Sequence, residues 1–388
     1  MRLVVFLAAT GILTSAAAAA GIGSGAPGPL VPVTPDNFPR AESDLHLSAV
    51  VKDAGLAKFR HQRKAAPPDR QFAPRADRDT FTSDAVFDLE AGPVTITLPE
   101  AGARFISMQV VDEDGYTAEV VYGSGRHVLS KDRLGTRYVL AALRIYVNAD
   151  DPKDVEAVGA LQDAVKVDQP GGPGAFQIPN WDAVSQVDVR TGLRVLAETL
   201  PNARGMFGSR GKVDPVRRLI GTGVAWGGLP DADARVMDVT PERNDGWTVY
   251  RIDLKDAPVD GFWSISVYND RGFFEANPQH AYSVNSVAAK ANPDGSVTVQ
   301  FGGCDGKVPN CLPTPPDWSY TVRLYRPRAE VLNGAWSFPE AKAVEPPPRS
   351  SSAAKIPPSP TAALVKPTPS AAPARKPTAS VAPGKKTQ

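Results

Sequence analysis

The sequence predicts a mainly β protein with some helix: two antiparallel β-sandwich or jelly-roll-like domains joined by a helical segment, followed by a disordered C-terminal tail. Hydrophobic residues alternate with period two in short runs before and after a helical middle. Proline and glycine, 38 and 33 of 388 residues, punctuate those runs as antiparallel sandwiches with tight turns require. An internal repeat ties the two β regions together. Phe105-x-Ser107-x-x-Val110-x-Asp112-x-x-Gly115-Tyr116 returns as Phe262-x-Ser264-x-x-Val267-x-Asn269-x-x-Gly272-Phe273, with six positions alike in type at identical spacing.

The elements follow in order. Met1-Arg2, an apolar run from Leu3 to Leu13 and small residues from Ala16 to Ala20 read as a secretory signal peptide over 1–20. No later segment approaches the roughly 20 apolar residues that cross a bilayer, so no transmembrane segment is expected in the mature chain. Pro35-Asp36-Asn37 opens a helix with Phe38, Ala41, Leu45 and Val51 on its buried side, and a second helical stretch is expected to reach Gln62. From Ala85 the period is two. Val94, Ile96 and Leu98 alternate with Thr95 and Thr97 in a half-buried strand, and 105–111 and 117–122 are the next strands. Helices are expected over 152–167, 181–200 and 213–226; the first and third open on Asp151-Pro152 and Asp214-Pro215, where the missing proline N–H is harmless. Strands return at 247–254, 262–268, 297–301 and 319–325. The expected domains are therefore 35–145, a helix and then a β-sheet; 146–228, the helical connector; 229–343, the second β-domain; and 344–388, the tail.

The formal charge of +1, from 43 Lys+Arg against 42 Asp+Glu, argues against a nucleic-acid partner. It hides a division. Residues 345–388 carry seven bases, one acid and eleven prolines but no aromatic residue, so the tail holds +6 and the rest of the chain −5. Such a tail cannot bury enough apolar surface to order itself. It suits a spacer, a basic arm on an anionic envelope polymer, or an arm that folds back on its own acidic body. Cys304 and Cys311 lie among turn formers; in an oxidising compartment a disulfide is expected, two free thiols being the alternative, while zinc lacks a second ligand pair.

Several strings are familiar. Asn37-Phe38-x-Arg40-Ala41-Glu42-Ser43-Asp44, Arg78-Asp79-Thr80, Val86-Phe87-Asp88-Leu89-x-x-Gly92-Pro93-Val94, Gly135-Thr136-Arg137-Tyr138 and Leu161-Gln162-Asp163-Ala164 resemble the N-terminal half of bacterial proteins of the DUF1254/DUF1214 pair. Asp260-Gly261-Phe262-Trp263-Ser264, Asn277-Pro278, Tyr282-Ser283, Gly302-Gly303-Cys304 and Arg323-Leu324-Tyr325-Arg326-Pro327 resemble the DUF1214 half. The likeness spans about 35–340 and implies a secreted bacterial protein of unestablished activity. The string from Arg75 to Ser83 departs from the family's pattern at Asp77, where Asn is usual, and at Thr82, where Tyr is usual.

Standard catalytic signatures are not met. Phe207-Gly208-Ser209-Arg210-Gly211 lacks the first glycine of a nucleophile elbow, and Gly205 to Lys212 is one residue too long for a phosphate loop and ends on Val213. His46, His61, His127 and His280 are scattered, and Asp112-Glu113-Asp114-Gly115 reads as a turn rather than a calcium loop, so no metal ligands are assigned. What remains is a polar constellation: Arg40, Arg78, Asn277, Tyr282 and Arg323 as ligand-binding candidates, with Asp79 or His61 as a proton acceptor. Arg323 sits between Val322 and Leu324 and must point away from the face they bury. The expectation is a periplasmic or secreted protein that binds a small molecule or envelope polymer in a cleft between its β-domains. The alternative is a metal- or carboxylate-dependent hydrolase outside the α/β-hydrolase fold. The cofactor and the oligomeric state are left unassigned.

Overall fold

A computed structural model describes residues 28–71 and 73–344. The expected signal peptide over 1–20 and the tail from 345 onward lie outside the described residues. β1 (Leu30–Val31) leads into α1 (Phe38–Ala54), which stops where Gly55 turns at a φ of 87°. Next come β2 (Arg60–His61), β3 (Thr80–Asp88), β4 (Val94–Leu98), β5 (Ile106–Asp112), β6 (Thr117–Tyr122), β7 (Gly125–Leu129), α2 (Lys131–Leu134), β8 (Tyr138–Tyr146), α3 (Pro152–Asp163) and β9 (Lys166–Asp168). The strands form two sheets in the orders β2-β3-β8-β5-β6 and β7-β4-β9, with antiparallel neighbours. Alternation puts Ala85, Phe87, Ile96, Met108 and Leu143 in the core between them, which makes a sandwich.

β10 (Asn180–Trp181) pairs with β1 and precedes α4 (Ala183–Ala197) and α5 (Pro215–Ala225). Asp182 and Asp214 cap these helices, accepting from the backbone N–H of Val184 and of Arg217. Both pack on the start of α1 through Phe38, Ala41, Leu193, Met206 and Ile220. Gly223 permits the close approach, since a Cβ there would stand 2.8 Å from that of Leu193.

The second half comprises β11 (Ala234–Val239), β12 (Tyr250–Leu254), β13 (Trp263–Tyr268), β14 (Ser283–Asn285), β15 (Val297–Phe301), β16 (Cys311–Leu312), β17 (Ser319–Tyr325), α6 (Ala329–Leu332) and β18 (Lys342–Ala343). Its sheets run β11-β17-β13-β14 and β16-β15-β12-β18 and enclose Ile252, Ile265, Phe301, Trp318 and Val322. Apart from β2 and β16, the order β3-β8-β5-β6 with β7-β4-β9 is repeated as β11-β17-β13-β14 with β15-β12-β18. The repeated sequence string is thus a repeated structure. Gly115 and Gly272 both take a φ of 80°, and the Asp112 and Asn269 carboxyl or amide oxygens accept from the N–H of Tyr116 and of Phe273 in the same turn.

Three expectations need correction. Leu45 is 40 % exposed, because buried polar contacts of Glu42, Ser43 and Asp44 turn that face of α1 inward instead. The helical stretch to Gln62 does not form; Arg60 and His61 pair with Asp84 and Ser83 as an edge strand. The helix expected over 152–167 ends at Asp163, since Lys166–Asp168 are drawn into the ladder beside β4. The long strand β8, central to its sheet, was not anticipated. The disulfide Cys304–Cys311 is formed.

Candidate functional site

The outward face of the first sheet changes character along its length. At one end Val86, Val111, Leu140 and Ala142 pack under α1 with Leu47, Val50 and Trp226. At the other, Tyr146 meets Phe262 and Tyr325 of the second sandwich. Between these two seals the face is polar, carrying Thr82, Asp84, Gln109 and Arg144, and it opens into a cleft of about 530 Å3. The far wall comes from Ala234, Val236, Arg323 and Tyr325, with Phe207 and Trp226 from the helical connector and Leu229 just after it.

Strand pairing positions the polar groups. Arg144 on β8 stands opposite Thr82 on β3 and Ser107 on β5. Arg144 is 8 % exposed, and its guanidinium donates to Gln109 Oε1 at 3.1 Å. The Gln109 amide is fixed in that sense because its nitrogen donates to Thr117 Oγ1 at 2.9 Å and to the Gly228 carbonyl at 3.1 Å. Among the described residues no carboxylate comes within ion-pair distance of Arg144. Asp84, two residues from Thr82, is engaged by Arg60 at 3.1 Å; burial nevertheless pushes its carboxyl above the ordinary range, against the pull of Arg60 and Arg144. Trp226 is held by a hydrogen bond to Ser43 Oγ at 2.9 Å and stacks on His46, so the apolar wall is fixed too.

Across the cleft, Arg323 is also buried. It donates to the Arg75 carbonyl at 2.6 Å, to the Tyr268 hydroxyl at 3.0 Å and to Ser266 Oγ at 3.3 Å. Arg75 in turn reaches Asp238 at 3.2 Å and Thr321 Oγ1 at 2.9 Å. The Tyr325 hydroxyl donates to Asp77 at 2.6 Å. Asp77 and Thr82 both line the cleft.

The sequence-derived candidates divide. Arg323 lines the cleft, whereas Arg78 and Asp79 line a second cavity of about 300 Å3 beside the disulfide. Asp79 and Arg323 nevertheless share one face: Asn285, which donates to Asp79 Oδ1 at 2.8 Å, and Arg323 both flank Ser264 on β13. Burial, with Asp77 close by, pushes the Asp79 carboxyl up to about 6, and its Oδ2 has no hydrogen-bond partner among the described residues. Arg78 lies over the Tyr282 ring at 4.7 Å and pairs with Asp150. Asn277 ties its own loop through Ala281. Arg40 bridges Glu113 and Asp114 of the repeat turn, away from the cleft. His61 hydrogen-bonds Ser83 Oγ at 2.9 Å, and burial, then Arg63, lowers its affinity for a proton. Arg144, Gln109 and Asp84 were missed. One signal existed: Arg144-Ile145-Tyr146 echoes Arg323-Leu324-Tyr325.

Comparison with known proteins places these features. Residues 56–132 match the family model of a protein of unknown function, DUF1254, and residues 234–329 match a second such model, DUF1214. A solved structure of the VPA0106 protein from Vibrio parahaemolyticus is similar at 17 % identity and a TM-score of 0.64, covering 80 % of this chain and 97 % of its own, so the fold is shared. An uncharacterised Burkholderia cenocepacia protein aligns at 14 % identity and a TM-score of 0.46, over 80 % of this chain and 88 % of its own. No curated protein matches the sequence.

Proposed function

We propose that this DUF1254/DUF1214 domain-containing protein is an exported binding protein that holds a small organic molecule in the cleft between its two sandwiches. One observation carries the reading: a preformed cleft of about 530 Å3 sets a fixed apolar wall of Trp226, Phe207 and Leu140 against buried, oriented polar groups. Ligand sites commonly measure on the order of 300–1,000 Å3 and combine such walls with a few convergent polar groups. Two carboxylates of the cleft lining, Asp84 and Asp77, are already engaged by Arg60 and by the Tyr325 hydroxyl, which favours retention of a ligand over its turnover. Export rests on the charged, apolar, small-residue order of residues 1–20. Filling the cleft tests the reading. Native mass spectrometry of the protein recovered from its own periplasm is expected to detect a retained small molecule that Thr82→Trp loses while its melting transition stays cooperative. Equal retention by both chains would remove the cleft from consideration.

A second reading, a carboxylate-dependent hydrolase, is favoured by Asp79, whose carboxyl titrates near 6 beside a separate cavity. It requires ester or glycoside turnover that disappears in Asp79→Asn and falls as pH drops below about 6.

A further inference from the structure

Arg144 and Arg323 occupy the same position in the two repeats. Ser107 pairs with Arg144 as Ser264 pairs with Arg323. The N–H of Tyr146 donates to the Phe105 carbonyl as that of Tyr325 donates to the Phe262 carbonyl. Two residues before each arginine the partner strand offers an aspartate, Asp84 opposite Ala142 and Asp238 opposite Thr321. Each aspartate already has its own arginine, Arg60 in one half and Arg75 in the other.

The halves differ in what meets the central guanidinium. In the second half the chain itself lies across the sheet: the Arg75 carbonyl accepts from Arg323 at 2.6 Å, and the Ala76 carbonyl accepts from the Tyr268 hydroxyl, which in turn accepts from Arg323. In the first half no carbonyl or carboxylate of the described residues takes that place. Arg144 has Gln109 Oε1 on one side and the open cleft on the other. A guanidinium has five N–H donors in a planar fork, and those that Arg144 does not give to Gln109 face the cleft, where a charged acceptor makes a stronger hydrogen bond than water. An acceptor from solution therefore has a built position, and a negative one is preferred because Asp84, the carboxylate whose charge Arg144 feels, is ion-paired with Arg60, and among the described residues no carboxylate comes within ion-pair distance of Arg144.

From this correspondence we infer that the cleft takes a carboxylate with an apolar body, its oxygens standing at Arg144 where the Arg75 carbonyl stands at Arg323. A carboxylate matches the fork in bidentate fashion. The apolar body lies along Leu140, Phe207 and Trp226, on the side where the cleft loses its polar lining. The inference rests on the binding reading above and specifies the chemistry of that site.

The test uses the full chain and three probes of equal length, decanoate, 1-decanol and decyl phosphate, followed by calorimetry. Decanoate is expected to bind at least tenfold more tightly than decanol to the unaltered protein, a comparison that needs no variant. In Arg144→Gln the decanoate affinity is expected to fall at least tenfold while that for decanol stays within about twofold; Arg144→Lys, which keeps the charge but not the fork, is expected to recover part of the loss. Equal binding of decanoate and decanol, or an Arg144→Gln chain that binds decanoate normally, overturns the carboxylate assignment but leaves the cleft standing if Thr82→Trp still blocks both. Tighter binding of decyl phosphate than of decanoate overturns the assignment in favour of a phosphate monoester. Binding of any probe that Thr82→Trp does not affect sinks the cleft reading and the carboxylate assignment together.

Discussion

Asp79 and Asp233 are exchanged between the two sandwiches. Asp79 stands immediately before β3, and its Oδ1 accepts from Asn285 Nδ2 of the second half at 2.8 Å. Asp233 stands immediately before β11, and its Oδ1 accepts from the Tyr122 hydroxyl of the first half at 2.7 Å. Their carbonyls complete the equivalence by accepting from the N–H of Val147 and of Arg326. Tyr122 and Asn285 themselves lie opposite Ser107 and Ser264, the paired positions of the repeat. The contact is therefore isologous in kind, as in a two-fold dimer, although both partners belong to one chain.

Asp79 makes acid strengthen this interface. Its carboxyl is raised from 3.8 to about 6, so between those values the folded chain binds a proton that the unfolded chain has released. Stability then falls as pH rises from about 4 to about 6 and is level above, by at most about 3 kcal/mol for this group. Asp79→Asn is expected to flatten that part of the profile and to raise the urea midpoint at pH 7, because an amide keeps the Asn285 contact without burying a charge. An unchanged slope between pH 4 and 6.5 would refute the assignment to Asp79.

Glu42 and Arg190 join α1 to α4 through two hydrogen bonds of 2.9 and 2.6 Å, with Gln186 donating to Glu42 as well. Against the upward push of burial, hydrogen bonds with His46 and then Arg190 hold the Glu42 carboxyl below its ordinary range. Glu42→Ala strands the Arg190 guanidinium and is expected to cost about 3 kcal/mol, whereas Glu42→Ala with Arg190→Met is expected to cost less than the single change. Chemical denaturation of the three chains decides the matter; additive losses would mean that the pair is not coupled.

Gly223 holds α5 against α4. Gly223→Val places a side chain against Leu193, and the expected loss is about 1–3 kcal/mol from overpacking. Pairing it with Leu193→Ala should return part of that loss. A midpoint for Gly223→Val equal to that of the unaltered chain would show that the two helices yield easily.

Much of the β architecture was legible because burial on one face writes a period of two, as in Val94, Ile96 and Leu98, and because glycines at 115 and 272 mark the same turn twice. β8 left no such trace. All nine of its residues are buried, so apolar residues on both faces erase the alternation, and Arg144 within it looks like an interruption rather than a site. Leu45 misled for the opposite reason: an apolar residue suggested an inward face that buried carboxylates had taken.

The sequence by itself determined the class of fold, the duplicated strand–turn string, the cysteine pair that forms the disulfide and the aim of Arg323 away from the face that Val322 and Leu324 bury, since local periodicity and turn chemistry act over a few residues. Tertiary structure alone decided that Arg323 is covered by the chain's own carbonyl while Arg144 faces an open cleft. That difference depends on where the segment around Arg75 crosses the sheet at Arg323, 248 residues later in the sequence, and no local signal can specify an acceptor that arrives from so far away.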